Sequence, residues 1–243
     1  MTEDPTKLDS LGWEILKKAL NQRLVVTRVR FMPSKANRVW AVETDVRPVI
    51  VKKSLTGKCA IEFESLLQAR LAGIDVPFPL IMEEEYLIME YVPGDSCEVL
   101  INSFFSAVAA DGIGKWLAGY HAVSRDGRSC KIMGDAALSN FLLFDGKVFG
   151  VDLEDSRIGD PLDDVGQISA RVLGSEPFFT PIKFDLCLRV LRSYERASGT
   201  DVVESSRSYI SKHLQADARS KPLFRRTFLQ AARTIERGWP RLA

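Results

Sequence analysis

Histidine and cysteine are scarce in this chain and widely scattered. His121, His213, Cys59, Cys97, Cys130 and Cys187 are its whole stock of nitrogen and sulfur ligands. No Cys-x-x-Cys pair occurs, which excludes a zinc finger or ribbon and offers no disulfide framework. The four thiols are therefore expected to be reduced and buried. Long apolar runs are missing too, since no stretch approaches the roughly 20 residues that span a bilayer. The opening Met-Thr-Glu-Asp-Pro-Thr-Lys is acidic and polar, so a soluble cytoplasmic protein without membrane contact is expected. Charge of one sign is lacking as well. The formal net charge is +1, so no overall field draws the molecule to DNA or to anionic lipid, and no DNA partner is expected.

What is present suits a sizeable core. The 243 residues, 46% of them apolar, suffice for one large domain or two lobes. Helical spacing of Leu8, Leu11, Ile15, Leu16 and Ala19 predicts a helix over Leu8 to Leu20. Three β-rich stretches follow, Leu24 to Phe31, Val39 to Glu43 and Pro48 to Lys53, and read as an antiparallel meander. A helix over Cys59 to Ala72, with the stripe Phe63, Leu66, Leu67, Arg70 and Leu71, is closed by Gly73 as its left-handed C′ residue. Strands at Leu80 to Met82 and Tyr86 to Tyr91 come next, and Val92-Pro93-Gly94-Asp95 stops the sheet. Beyond it the chain turns helical, with helices predicted at Val99 to Ala110, Ile113 to Val123, Asp160 to about Val172, Ile182 to Ala197, Val202 to Leu214 and Pro222 to Arg237. Asp160-Pro161 supplies an N-cap and an N1 proline. The expected organisation is a sheet-plus-helix lobe over residues 1–93 and a mainly helical lobe over residues 94–243, with ligands in the cleft between them.

One segment carries the chemistry. Phe141 to Phe144 and Lys147 to Val151 are strand-like, and Asp145-Gly146 between them is a strong two-residue hairpin signal. Counting back from that turn pairs Phe144 with Lys147, Phe141 with Gly150 and Asn140 with Val151. Asn140 and Asp152 then meet at the hairpin mouth, one short loop from Asp135. Two carboxylates ~4 Å apart repel by about 4 kcal/mol at an effective dielectric near 20, so a cation is expected there. Oxygen donors alone favour Mg²⁺ over zinc or iron.

Taken in order, the chain offers Val49-Ile50-Val51-Lys52, a glutamate on the next helix, Leu87-Ile88-Met89-Glu90-Tyr91-Val92-Pro93-Gly94, then Gly134-Asp135 with Asn140 five residues on, and Val151-Asp152-Leu153-Glu154. This series resembles the protein-kinase-like superfamily over about residues 24 to 172. Asp-Leu-Glu in place of Asp-Phe-Gly, with Gly159-Asp160-Pro161-Leu162-Asp163-Asp164-Val165-Gly166, is most similar to aminoglycoside phosphotransferases and choline or ethanolamine kinases. The resemblance implies a bilobal α+β fold and an ATP- and Mg²⁺-dependent kinase moving the γ-phosphate to a hydroxyl, with a small molecule as the favoured acceptor. It implies Lys52 as the phosphate grip and Glu62 or Glu64 as its ion-pair partner, the interval to Gly73 favouring Glu62. It implies main-chain contacts to adenine from Glu90 and Val92 with Met89 behind them, Asp135 as the base orienting the hydroxyl, and Asn140 and Asp152 as metal ligands. Asp164 would brace the catalytic loop, and His121 would be structural.

The chain also departs from that pattern. The turn Met32 to Arg38 has no glycine, leaving Ser34, Lys35 and Asn37 to meet phosphates. Met133 stands two residues before Asp135, where relatives usually carry histidine, and so removes a hydrogen-bond anchor. No Ala-Pro-Glu stretch follows Asp152, which argues against a peptide-docking platform. The interval from Glu62 to Gly73 is similar to RIO-like atypical serine kinases, so an atypical protein kinase is the alternative, and a nucleotide-binding pseudokinase scaffold is a second. Arg219, Lys221, Arg225, Arg226, Arg233, Arg237 and Arg241 make the last segment basic; an anionic partner would fit it, and so would a solvated helix face.

Overall fold

The computed structural model describes residues 6–20, 23–32, 34, 36–127 and 129–239. Lys35, Arg241 and the acidic start of the chain lie outside the described residues. The chain divides into two compact units, one formed by Met1–Pro93 with Asp152–Asp155, the other by Gly94–Val151 with Ser156–Ala243.

The first unit holds α1 (Ser10–Leu20), β1 (Val26–Met32), β2 (Arg38–Thr44), β3 (Val49–Lys53), α2 (Cys59–Leu71), β4 (Pro79–Glu83) and β5 (Tyr86–Glu90). Its antiparallel sheet runs β1-β2-β3-β5-β4. Leu8, Ile15 and Leu16 bury against Trp40, Val42, Val49, Val51, Tyr86 and Ile88. Leu11, expected on that face, is exposed; Gly12 occupies the close approach instead, because a Cβ there would lie 3.0 Å from the Tyr86 ring. α2 closes as expected. Gly73 has φ +81°, and the Gly73 and Ile74 N–H groups donate to Arg70 O and Ala69 O at 3.0 Å, a Schellman closure. The buried face of α2, however, is Cys59, Glu62, Ser65, Leu66 and Ala69, and Leu71 is exposed. The helix is turned from its apolar stripe because a glutamate is carried inward.

The second unit holds β6 (Asp95–Ser96), α3 (Cys97–Ser103), α4 (Ala107–Ala122), β7 (Cys130–Ile132), β8 (Phe141–Phe144), β9 (Lys147–Gly150), β10 (Arg157–Gly159), α5 (Pro161–Leu173), α6 (Pro181–Ser198), α7 (Arg207–Ser220) and α8 (Arg225–Arg237). The helix boundary expected at Asp111-Gly112 falls instead at Phe104 to Ser106, where the Ser106 hydroxyl caps α4 by accepting from Ala109 N–H. Gly112 lies inside α4 for a packing reason, since a Cβ there would meet Val148 at 2.4 Å. α7 starts later than expected: Val202 and Val203 N–H both donate to Glu195 Oε1 at 2.8 Å, which holds that stretch in turns. α5 begins as predicted, with Asp160 Oδ1 accepting from Leu162 N–H and Pro161 at N1. The short strands β6, β7 and β10 were not anticipated; at two or three residues each they carry no periodicity. No helix among the described residues is long and apolar enough to cross a membrane.

The hairpin register matches the sequence reading. Phe141 pairs with Gly150 and Phe144 with Lys147, and Val151 N–H donates to Asn140 O at 2.9 Å. Asp145 and Gly146 both have positive φ, 49° and 72°, as the two-residue turn requires.

Candidate active site

In the first unit, Lys52, the last residue but one of β3, points inward and is 4% exposed. Lys53, on the opposite face, pairs with Asp9 at 2.7 Å and Glu85 at 2.9 Å, so strand alternation separates the two lysines as expected. The Lys52 ammonium lies 2.7 Å from Glu62 Oε2, 2.5 Å from Asp152 Oδ1 and 3.2 Å from Glu154 Oε2. Between the two candidate partners, Glu62 is buried in this cluster and Glu64 is exposed.

One ammonium among three carboxylates leaves an excess of negative charge. Burial by itself would lower the Lys52 pKa, but Glu62 and Asp152 outweigh it and hold the group raised. Burial pushes the Glu62 carboxyl up, Asp152 and Glu154 add to that, and Lys52 opposes it. Neither Glu62 oxygen finds a hydrogen-bond donor apart from this ion pair. Glu154 is a participant that the sequence reading missed, although its spacing of two from Asp152 carried the signal.

The β1–β2 turn is tied to the same cluster. Asn37 Nδ2 donates to Glu154 Oε2 at 2.7 Å, and Asn37 Oδ1 accepts from Leu55 N–H at 3.1 Å. Asn37 is thus a brace between the turn and the cluster. Farther along, Glu90 ends β5, with its N–H donating to Phe78 O at 2.9 Å. Met89 and Val92 are buried, and among the described residues the Val92 N–H makes no hydrogen bond.

In the second unit, Asp135 lies in the loop between β7 and a 3₁₀ turn, Leu138–Asn140. Asn140 Nδ2 donates to Asp135 O at 3.0 Å, which turns the amide so that Oδ1 is the atom available to a cation. Asp164, on α5, accepts from Met133 N–H at 2.6 Å and Gly134 N–H at 2.9 Å. It also meets His121 Nε2 at 3.1 Å, and His121 Nδ1 meets the Tyr194 hydroxyl at 3.0 Å. Asp164 therefore braces the loop and His121 backs it from the core. The anchor that Met133 was expected to remove is supplied through main-chain N–H groups, and the Met133 side chain is fully buried.

The donor set fits a hard divalent cation. Glu62, Asp152 and Glu154 each present a carboxylate oxygen within 4.8 Å of the others. Glu62 and Glu154 are buried on Lys52, whereas the Asp152 side chain is 42% exposed and is the one able to turn toward an ion. All the candidate ligands are oxygen, which suits Mg²⁺ or Ca²⁺ better than zinc. The arginines of α8, Arg225, Arg226, Arg233 and Arg237, line a groove of about 870 Å³ together with Leu223 and Gln230, and no ion pair engages them among the described residues.

No known family profile matches the chain, and no curated protein does. Solved structures do. A Thermobifida fusca protein assigned as a fructosamine-3-kinase superposes with a TM-score of 0.67 at 16% identity, over 96% of this chain and 100% of that one. The macrolide 2′-phosphotransferase of Brachybacterium faecium gives a TM-score of 0.65 at 16% identity, over 94% and 98%. An amicoumacin kinase in complex with AMP-PNP, Ca²⁺ and Ami gives 0.63 at 13% identity, over 97% and 89%. The chain has the protein-kinase-like fold that these small-molecule kinases share.

Proposed function

We propose that the chain is an ATP- and Mg²⁺-dependent phosphotransferase that moves the γ-phosphate to a hydroxyl of a small molecule. The observation that carries this reading is the ammonium of Lys52 held between Glu62 at 2.7 Å and Asp152 at 2.5 Å. Gathering three carboxylates, two of them buried, round one buried lysine costs free energy that a hydrophobic cluster of similar volume would not. It is intelligible where an anion and a cation are to be bound in turn. The similar structures support the reading, since they are phosphotransferases of small molecules, one of them with a nucleotide analogue and a divalent ion.

On this reading Lys52 grips the nucleotide phosphates while Glu62 keeps its ammonium aimed. Asp152, the exposed member of the cluster, is the partner that yields its place on Lys52 to a phosphate oxygen. Main-chain groups of Glu90 and Val92 hold the adenine. Asp135 accepts a hydrogen bond from the acceptor hydroxyl and takes up its proton as the new P–O bond forms and the bond from the γ-phosphorus to the β,γ-bridging oxygen breaks, ADP leaving with that electron pair. Asn140 and Asp152 would hold the divalent ion, whose contribution is to neutralise charge on the transferring phosphoryl group.

The test is incubation with labelled ATP and Mg²⁺ against a panel of amino alcohols and sugars, with casein-like protein as a separate arm. Label on a small molecule supports the reading; label on protein alone overturns it in favour of a RIO-like protein kinase.

A further inference from the structure

Gln167 has no part in the scheme above, yet it touches the residue on which that scheme depends. It lies three residues beyond Asp164 on α5, so both side chains leave the same face of the helix. Asp164 holds the N–H groups of Met133 and Gly134, and Gln167 takes the next stretch of the loop. Its Oε1 accepts from Ala136 N–H at 2.8 Å, and its Nε2 donates to Asp135 Oδ1 at 3.2 Å. The direction of the amide follows from its partners. Ala136 N–H can only donate, so the oxygen must face it, and the nitrogen is left for the carboxylate.

We propose that Gln167 is a positioning residue: its side-chain amide fixes the rotation of the Asp135 carboxylate toward the acceptor hydroxyl. The inference rests on the phosphotransferase reading. A neutral donor suits the task, because it orients one carboxylate oxygen without pairing its charge. A lysine or arginine in the same place would form an ion pair and compete with the hydroxyl. Geometry at this atom matters to rate, since a displacement of about 1 Å costs up to roughly a hundredfold. The half-buried setting of Gln167, beside buried Asp164 and Gly166, limits its own rotamers.

Gln167→Glu separates this role from loop bracing. Glutamate has the same length and still accepts from Ala136 N–H, so the bracing contact is kept and the change is confined to the Asp135 side, where a second carboxylate now repels the first. Toward Asp135, however, it replaces a donor by an acceptor. The measurement is kcat and KM for ATP and acceptor in the full-length wild type, Gln167→Glu and Gln167→Leu, with ATP hydrolysis by water assayed alongside and thermal midpoints recorded. The expected result is a kcat lower by tenfold or more in both variants, with KM for ATP within about twofold. A Gln167→Glu enzyme that keeps kcat within about threefold overturns the proposal; should that variant not fold, unchanged kcat in Gln167→Leu does the same. A wild type that transfers phosphate to neither water nor any hydroxyl overturns the phosphotransferase reading and this inference together. An active wild type with indifferent variants overturns this inference alone.

Discussion

Asp164 accepts a hydrogen bond from the main-chain N–H of Met133 at 2.6 Å. That contact explains how the loop bearing Asp135 holds its shape although a methionine stands where the family resemblance leads one to expect histidine. The anchor comes from the partner helix and reaches backbone, so the side chain at 133 is free to be apolar and buried.

Asp164→Asn tests this anchor. Both Asp164 oxygens accept main-chain N–H groups, and asparagine can offer only one acceptor, turning an N–H toward the other donor. A loss of about 1–3 kcal/mol is expected from the unsatisfied buried donor, read by urea denaturation, together with reduced phosphoryl transfer. Unchanged stability would contradict the assignment.

Lys52→Met and Glu62→Gln should differ in severity. Removing the ammonium leaves three carboxylates without a counter-ion, and a destabilisation of about 3–5 kcal/mol is expected. Neutralising Glu62 relieves some of the excess negative charge, and burial already pushes that carboxyl toward its neutral form. Its cost should fall well below that of Lys52→Met in the same denaturation experiment. Lys52→Met should also abolish ATP-dependent transfer.

How much of this was legible in the sequence depended on whether the pattern was local. The Asp145-Gly146 hairpin, the Asp160-Pro161 helix start and the Gly73 closure were readable because each is specified by adjacent residues. Lys52, Glu62, Asp135, Asn140 and Asp152 were named through the family resemblance; Lys52, Glu62 and Asp152 meet in the first unit, and Asn140 meets the Asp135 main chain in the second. The roles of Glu154 and Gln167 and the bracing contact of Asn37 were not foreseen, since they depend on tertiary contacts 117 and 32 residues apart in the chain. The face of α2 was misread for a related reason: hydrophobic periodicity assumes that buried means apolar, and Glu62 is buried for its charge.

A buried lysine in the second unit gives a pH signature. Lys183 is fully buried and donates to neutral acceptors, Asn102 Oδ1 at 2.6 Å, Ser175 Oγ at 3.0 Å and Ile101 O at 3.4 Å. Burial lowers its pKa from 10.5 to about 8. Between those values the unfolded chain binds more protons, so this group makes stability rise with pH across that window, by up to roughly 3 kcal/mol. Below about pH 8 the lysine is charged in both states and the penalty is fully present. Lys183→Met should remove that slope; the check is denaturation of both proteins from pH 7.5 to 10.5, with identical slopes contradicting the account.

Gly150→Ala probes the packing behind the hairpin. A Cβ at 150 would lie 2.1 Å from the Trp116 ring, which is buried and stacked on Tyr120 at 5.0 Å. Overpacking of about 1–3 kcal/mol is expected, seen as a lower thermal midpoint.

Asp135→Asn tests most directly whether Asp135 serves phosphoryl transfer from ATP to a small hydroxyl acceptor. Transfer of labelled phosphate to the acceptor found in the panel should fall by about 10²- to 10⁴-fold relative to wild type. ATP affinity and thermal midpoint should stay close to wild type. Transfer at an undiminished rate in the Asp135→Asn enzyme would contradict the account.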